Sequence, residues 1–262
     1  MTVPLDGFDV TPMTFDGVTR DVYRRGKGPG VIVMHEIPGI TPAVARFATT
    51  VADAGFSVRM PHMFGTPGKP MSGPYALGQI VRAVCISKEF RTFAANESSP
   101  IVSWLRALCA ATHAELGGRG VGAIGMCLTG NFALAMMVEP SMMAPVLSQP
   151  SLPFPLGAGK RGLHISSEDL VIAKRRAKEG VPLLAMRFTN DLACPAERFQ
   201  RLRDELGDAV ETIEIDSSRG NAHGIPRRAH SVVTNDLVDE AGHPTRIALD
   251  RVIAFYRENL GA

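Results

Sequence analysis

This chain of 262 residues has little excess of positive over negative charge, few cysteines and no long apolar run. Lysine and arginine total 28 against 26 acidic residues, and the formal net charge of +2 implies no polyanionic partner such as a nucleic acid. No apolar run is long enough to cross a bilayer, so we predict no membrane partner. The first residues lack the basic and apolar regions of a signal peptide, so we expect no secretion.

The four cysteines are Cys85, Cys109, Cys127 and Cys194. They are far apart and show none of the C-x-x-C spacing that is typical of zinc and redox sites. A chain of this length can bury most of its apolar surface without cross-links. We therefore predict free thiols in a reducing cytoplasm, with no disulfide framework and no metal site.

The most informative stretch covers residues 121–137. It starts with small and β-branched residues, which are typical of a short buried strand, and ends with good helix formers. Between them lies a G-x-C-x-x-G turn at residues 125–130, with Cys127 at its centre. Its G-x-C part matches the G-x-S nucleophile elbow with sulfur in place of oxygen, although the second glycine falls one residue late. The alternative is a buried structural cysteine in an ordinary strand-to-helix turn.

Strands and helices alternate along the chain. Residues 5–25 favour one or two edge strands, and strands at 31–35 and 56–60 flank a helix that begins at Pro42. Later patterns predict strands at 144–148, 181–188 and 210–215 and helices at 100–116, 166–179, 195–206 and 244–260. This alternation predicts an α/β fold with a mostly parallel central sheet and helices on both faces.

Two helices also indicate which residues face the core. In the last helix, the apolar spacing predicts a buried face formed by Ile247, Val252, Ile253 and Phe255. In the 166–179 helix, the basic residues predict a solvated face formed by Lys174, Arg175, Arg176 and Lys178.

Residues 61–99 are the least regular part of the chain. Prolines and glycines mark a long loop, and a helical patch follows at about residues 77–93. We interpret residues 66–98 as a lid or insertion after the second parallel strand, within a single domain that spans residues 1–262.

Three residue types that cooperate in nucleophilic catalysis follow predicted strands. Cys127 comes first, Asp191 follows the 181–188 strand, and a histidine lies beyond the 210–215 strand. This is the order nucleophile, acid, histidine of α/β-hydrolases. A histidine can take the thiol proton, and a carboxylate can hold the imidazole in the useful tautomer.

The acid and the histidine each have competitors. Asp208 precedes its strand and Asp216 follows one strand too late, so we favour Asp191, which could otherwise serve only as a helix cap. We favour His230 over His223 because His230 lies closer to the final helix and is followed by small and apolar residues. His223 is then either a substrate contact or a solvent-exposed loop residue.

Acyl transfer also needs N–H groups that stabilise an oxyanion. Leu128, the residue after the nucleophile, would supply one, and Ile37, in the loop after the 31–35 strand, would supply the second. Glu36 beside Ile37 is either a loop hydrogen-bond partner or a group that interacts with the thiol and its neighbours.

Together these motifs resemble the dienelactone hydrolase family. The resemblance covers about residues 8–258 and rests on His35-Glu36-Ile37-Pro38-Gly39, Pro61-His62-Met63-Phe64-Gly65, the 125–130 turn, Asp191 and Ala229-His230-Ser231. It implies an α/β-hydrolase fold without a cofactor, a catalytic triad, and a glutamate that keeps the resting thiol protonated until substrate displaces it. The triad would be Cys127, His230 and Asp191, and the glutamate would be Glu36. The chain departs from the family's usual pattern at Pro38, Met126 and Thr129.

We therefore predict a monomeric or homodimeric hydrolase of small carboxylic esters or lactones that acts through an acyl-enzyme on Cys127. Dienelactone-type substrates carry a carboxylate, and Arg82, Arg91 and Arg228 are the candidates to bind it. The alternative is a non-hydrolytic small-molecule binder or a redox-responsive thiol protein. A serine esterase is disfavoured because the chain has no G-x-S-x-G elbow.

Overall fold

The computed structural model describes residues 2–81, 100–151 and 157–261. Its strands are β1 (Asp9–Phe15), β2 (Val18–Arg25), β3 (Gly30–Met34), β4 (Ser57–Pro61), β5 (Val121–Met126), β6 (Met142–Ser148), β7 (Leu183–Phe188) and β8 (Val210–Ile215). They form one sheet in the order β1-β2-β4-β3-β5-β6-β7-β8. The pairs β1–β2 and β2–β4 are antiparallel and the others are parallel. The prediction of a mostly parallel sheet is confirmed.

The described helices are α1 (Pro42–Asp53), α2 (Gly73–Val81), α3 (Pro100–Leu116), α4 (Gly130–Ala135), α5 (Ser167–Lys178), α6 (Ala196–Leu206) and α7 (Pro244–Leu260). Helix α1 begins as predicted, because Thr41 Oγ1 accepts a hydrogen bond from the Val44 N–H at 3.3 Å. None of these helices has the length and apolar character that a bilayer crossing requires.

The sheet is covered on both faces. Ile32 and Met34 of β3 belong to an apolar cluster that includes side chains of α3, α4, α5 and α6. The intervening Val31 and Val33 belong to a second cluster with α1 and α7. Because successive side chains of a strand point to opposite faces, these two clusters form the two layers of the core, as predicted.

Each of the two predicted helix faces is wrong at one residue. On α7, Val252, Ile253 and Phe255 are buried as predicted, but Ile247 is 55% exposed. Arg176 is buried on α5, where its guanidinium binds backbone carbonyls.

The insertion is described only in part. Helix α2 begins at Gly73, four residues earlier than the predicted helical patch, and residues 82–99 lie outside the described part of the chain. Arg82 and Arg91, two of the candidate carboxylate ligands, are among the residues outside it.

The topology gathers polar residues at one edge of the sheet. Glu36 follows β3, Cys127 follows β5, Asp191 follows β7, and His230 lies in the long loop between β8 and α7. Since the carboxyl ends of parallel strands meet at the same edge, residues distant in sequence become neighbours there.

Candidate active site

Cys127 is the first residue after β5 and has a φ angle of +56°, which side chains rarely adopt. The strained angle turns the chain sharply from strand to helix. The flanking glycines allow two close approaches: a Cβ at Gly125 would lie 2.0 Å from the Thr129 carbonyl oxygen, and one at Gly130 would lie 2.7 Å from Pro150 Cα. The backbone therefore has the shape expected of a nucleophile elbow, and the G-x-C-x-x-G spacing is explained by packing.

Thr129 holds this turn against the neighbouring strand. Its fully buried hydroxyl accepts a hydrogen bond from the Met126 N–H at 2.9 Å. The hydroxyl proton can go to the carbonyl oxygen of Met34 or of Met126, each 3.0 Å away. A glycine at this position would make none of these bonds.

The structure brings Cys127, His230 and Asp191 together. His230 Nδ1 lies 2.7 Å from Asp191 Oδ2, and the Cys127 side chain is close enough to the imidazole to affect its pKa. Since Nδ1 faces the carboxylate, Nε2 is the ring atom left to face the sulfur. Asp191 Oδ1 accepts a hydrogen bond from the Ala193 N–H at 2.9 Å, which fixes the rotation of the carboxylate.

The charges around His230 favour its protonated form. Burial lowers the pKa of the imidazole, but the electrostatic effect of Cys127 and the hydrogen bond with Asp191 outweigh burial and raise the pKa well above its usual value. A protonated imidazole can donate a proton to a molecule bound in the same place.

Asp236 holds the loop that carries His230. Its Oδ2 accepts hydrogen bonds from the backbone N–H groups of His230 and Ser231, both at 2.8 Å. Its own N–H donates to the Ser231 carbonyl oxygen at 3.1 Å. We did not identify this residue from the sequence, where an acidic residue in a polar loop is too common to single out.

Glu36 is buried and surrounded by donors from elsewhere in the chain. Its Oε1 accepts from Thr234 Oγ1 at 2.5 Å and from Asn235 Nδ2 at 3.0 Å. Its Oε2 accepts from Ser231 Oγ at 2.7 Å and from Gln149 Nε2 at 3.4 Å.

Burial raises the pKa of the Glu36 carboxyl group, although the hydrogen bonds from Thr234 and Ser231 and the charge of His230 act against it. Within the described part of the chain, no hydrogen bond joins Glu36 to Cys127. The carboxyl group instead connects β3 to the loop that follows His230.

His35 has a structural role beside this site. Burial lowers the pKa of its imidazole to about 3, so the ring is neutral. Its Nε2 accepts from the Met63 N–H at 3.1 Å, so Nδ1, which is 3.1 Å from the Glu36 carbonyl oxygen, carries the proton. His35 thereby joins the two loop segments on which part of the family resemblance rests.

A cleft of about 890 Å³ opens over Cys127. Its lining residues include both predicted oxyanion donors, Ile37 and Leu128, and the predicted anion ligand Arg228. The Ile37 N–H donates to no acceptor in the described part of the chain, so it is available to a ligand. Met71 and Ala76, from the described part of the predicted insertion, also line the cleft.

Other candidates lie elsewhere. The exposed His223 ring packs edge-on against His243 with 5.5 Å between centroids, and His223 does not line the cleft. The competing acids Asp208 and Asp216 are both exposed. Among the described residues, no three His, Cys, Asp or Glu side chains are grouped so that they could hold a metal ion.

Several further cleft residues were missed by the sequence analysis. They are Ser151, Asn190, Leu192, Ala193, Arg227, Ser231, Asn235 and Asp236. Most of them lie next to a predicted site residue along the chain, and this closeness could have indicated them. It is a weak indication, because many residues of such loops point away from the site. Ser151 had no such signal, because it reaches the site through β6.

Comparison with known proteins supports the family expected from the motifs. A sequence model of the dienelactone hydrolase family matches residues 15–258. A Saccharomyces cerevisiae protein, named provisionally as a carboxymethylenebutenolidase, is 29% identical over 117 residues. That match covers 45% of this chain and 41% of the yeast protein.

Solved structures show the same fold. A Klebsiella pneumoniae protein, named provisionally as a dienelactone hydrolase, superposes with a TM-score of 0.64 at 16% identity, covering 96% of this chain and 98% of the other. A dienelactone hydrolase from Anabaena variabilis superposes with a TM-score of 0.60 at 12% identity, covering 97% and 98%. At these identities the likeness establishes the α/β-hydrolase fold alone. Because the family model covers nearly the whole sequence, the chain belongs to the dienelactone hydrolase family of hydrolases.

Proposed function

We propose that this protein hydrolyses small carboxylic esters or lactones, with Cys127 as the nucleophile. The observation that carries the proposal is the position of Cys127, on a strained turn, in the same cleft as the hydrogen-bonded pair of His230 and Asp191. A merely structural cysteine would not need the strained backbone, the imidazole and the carboxylate together.

In the first half of the reaction, the Cys127 thiolate attacks the carbonyl carbon and forms a C–S bond. The N–H groups of Ile37 and Leu128 stabilise the oxyanion that develops on the carbonyl oxygen. When the tetrahedral intermediate collapses, the C–O bond breaks and His230 gives the Nε2 proton to the leaving oxygen. A thioester remains on Cys127, and a lactone substrate would keep its alcohol attached to the acyl group.

In the second half, His230 takes a proton from water as the water oxygen attacks the thioester carbonyl. The C–S bond then breaks, the carboxylic acid leaves, and the Cys127 thiolate is restored beside the imidazolium. Asp191 holds Nδ1 protonated in both halves, so that Nε2 always faces the reacting atoms.

Glu36 is proposed to act on the resting thiol, as the family resemblance implies. Four donors occupy the two carboxyl oxygens in this structure, and three of them belong to the loop after His230. These contacts favour a role in which Glu36 sets the position of that loop, and a direct interaction with the thiol would require the carboxyl group to leave them.

The cleft supports a substrate that is partly apolar and partly anionic. Met71, Leu128 and Leu192 supply apolar surface, and the exposed Arg227 and Arg228 lie on the loop that carries His230. A guanidinium group can bind a substrate carboxylate with two parallel hydrogen bonds. Arg228 is therefore the candidate anion ligand, and the adjacent Arg227 is a second one.

Rapid mixing with an activated aryl ester tests the proposal. We expect a burst of phenol that approaches one equivalent of enzyme, a thioester on Cys127 by mass spectrometry, and loss of both in Cys127→Ala. Cys109→Ala is the matched control, because Cys109 is a buried thiol beside Ser141 that lines no part of the cleft.

Unchanged turnover in Cys127→Ala would refute the proposal. Absence of turnover with aryl esters and enol lactones, together with rapid peroxide oxidation of Cys127, would favour the redox-responsive alternative.

A further inference from the structure

Arg198 is a completely buried arginine near the start of α6. Among the described residues it forms no ion pair, whereas the buried Arg187 nearby is paired with Glu214 at 2.5 Å. Burial lowers the pKa of the Arg198 guanidinium, and the electrostatic effects of Cys194 and Asp191 act against burial. Burying a charge without a direct counter-ion is unfavourable, so the position calls for a physical explanation.

The guanidinium holds carbonyl oxygens from three separate segments. Its Nε donates to the Gly162 carbonyl oxygen at 2.7 Å, and its Nη1 donates to the Pro150 carbonyl oxygen at 2.5 Å. The same Nη1 makes a longer contact of 3.4 Å with the Ala193 carbonyl oxygen, and Nη2 has no partner in the described part of the chain. An apolar side chain could fill this space but could not donate to the carbonyls, whereas the fork of a guanidinium presents donors on separate nitrogens.

Two of these segments lead directly to the proposed catalytic residues. Ala193 also donates its N–H to Asp191 Oδ1 at 2.9 Å, so the residue that Arg198 contacts is the one that orients the acid. Pro150 precedes Ser151, whose N–H donates to the Cys127 carbonyl oxygen at 2.9 Å. Arg198 therefore lies between the backbone of the nucleophile and the loop that carries Asp191.

We propose that Arg198 is a positioning residue for hydrolysis, which keeps Asp191 in register with His230 by joining the acid loop to the nucleophile turn. This inference rests on the proposed function of Cys127, His230 and Asp191. Arg198 touches neither the reacting atoms nor the cleft, so its effect on the reaction must pass through the position of Asp191.

Two substitutions separate position from charge. Arg198→Lys keeps a positive charge but replaces the two donating nitrogens, Nε and Nη1, by one ammonium nitrogen, and Arg198→Met removes both the charge and the donors. Arg176 provides the matched control. Arg176 is another buried arginine, and its guanidinium donates to the carbonyl oxygens of Met137, Glu139 and Pro140 at 2.5 to 2.8 Å. These residues lie just before β6, at the end of the strand that is opposite to the cleft.

The decisive measurement is the pKa of His230, from NMR titration of protein labelled at histidine. The contact with Asp191 helps to raise this pKa, so both Arg198 variants should lower it if Asp191 moves. We also expect kcat for an aryl ester to fall about 100-fold in Arg198→Met and about 10-fold in Arg198→Lys, with little change in KM. Arg176→Met should lose thermal stability but keep the His230 pKa and kcat.

Other results would overturn the inference. An unchanged His230 pKa and kcat in both folded variants would mean that Arg198 only stabilises the fold. A pKa that rises in Arg198→Met and does not change in Arg198→Lys would mean that the charge acts through space, without positioning. If Arg198→Met does not fold, Arg198→Lys decides alone. The pKa readout does not require turnover, so failure of the proposed function, seen in Cys127→Ala, remains distinguishable.

Discussion

The substitution Asp191→Asn tests whether Asp191 is the acid, because it should change which ring nitrogen of His230 carries the proton. Asp191 Oδ1 accepts from the Ala193 N–H, so the asparagine oxygen should occupy this position and its NH₂ should face His230 Nδ1. Nδ1 must then act as an acceptor, and the ring proton of neutral His230 moves to Nε2. A neutral imidazole with its proton on Nε2 cannot accept the Cys127 proton, so the nucleophile is not activated.

The expected loss of kcat/KM is about 10⁴-fold, the size seen when a triad histidine is held in the wrong tautomer, or about 5 kcal/mol of barrier. Stability should change as well. The Asp191–His230 pair spans 2.7 Å and the two side chains are 5% and 27% exposed, so the lost charge-assisted bond costs about 1.5–3 kcal/mol.

The stability loss should depend on pH. The folded-state pKa of His230 is raised, with burial opposing and Cys127 and Asp191 favouring the cation. The stabilisation is therefore fully present below about pH 6.5, the ordinary histidine value, and is lost as pH rises through the folded-state pKa. Asp191→Asn should thus destabilise the protein more at pH 6 than at high pH.

Steady-state kinetics, urea unfolding at several pH values and NMR of the histidine ring nitrogens measure the three effects. Asp208→Asn is the control, because Asp208 is exposed in the turn before β8. The reasoning is refuted if Asp191→Asn retains kcat/KM within tenfold of the wild type while His230 keeps its proton on Nδ1.

Three further substitutions test separate parts of the site. Gly125→Ala should lower the free energy of unfolding by about 3 kcal/mol or more, because the new Cβ would lie 2.0 Å from a backbone oxygen. The control Gly78→Ala has open space around it and should be neutral or stabilising. Chemical denaturation measures both variants. Burial raises the pKa of Glu36 in the folded state. In urea unfolding, the stability of the wild type relative to Glu36→Gln should therefore be greatest below about pH 4 and should fall as pH rises through the folded-state pKa. A stability difference that grows with pH would contradict this. Leu192 lines the cleft although it is 88% exposed. Leu192→Ala should reduce the preference for hexanoyl over acetyl esters, measured as a ratio of kcat/KM values, by about tenfold. The control Val171→Ala, at a residue that is 68% exposed on α5, should leave this ratio unchanged.

The chain order of strands was the part of the fold that the sequence could predict. The patterns around residues 31–35, 121–126 and 181–188 are local, and parallel strands must end at a common edge. The proximity of Cys127 and Asp191 followed from that rule without any knowledge of contacts. The choice of His230 over His223 rested on weaker reasons, yet the structure brings His230 to Asp191 and leaves His223 beside His243.

Contacts that depend on the rotation of one side chain could not be predicted. The partners of Glu36 on the loop after His230 lie 195 to 199 residues away, and no local pattern connects them. A basic run such as residues 174–178 is usually solvated, so the burial of Arg176 was not visible in composition. On α7, Ile247 is exposed although the other predicted core residues, Val252, Ile253 and Phe255, are buried.

The carboxylates around His230 can be told apart by the donors that each one meets. Asp236 is occupied by two backbone N–H groups, and Glu36 is occupied by hydroxyl and amide groups of side chains. Asp191 meets one backbone N–H with Oδ1, which leaves Oδ2 for the imidazole. Of these three carboxyl groups, Asp191 is the one that forms a hydrogen bond with the imidazole, whereas Asp236 holds the backbone of the loop. Because the donors differ, Asp191→Asn should change the tautomer of His230, and Asp236→Asn should change its position.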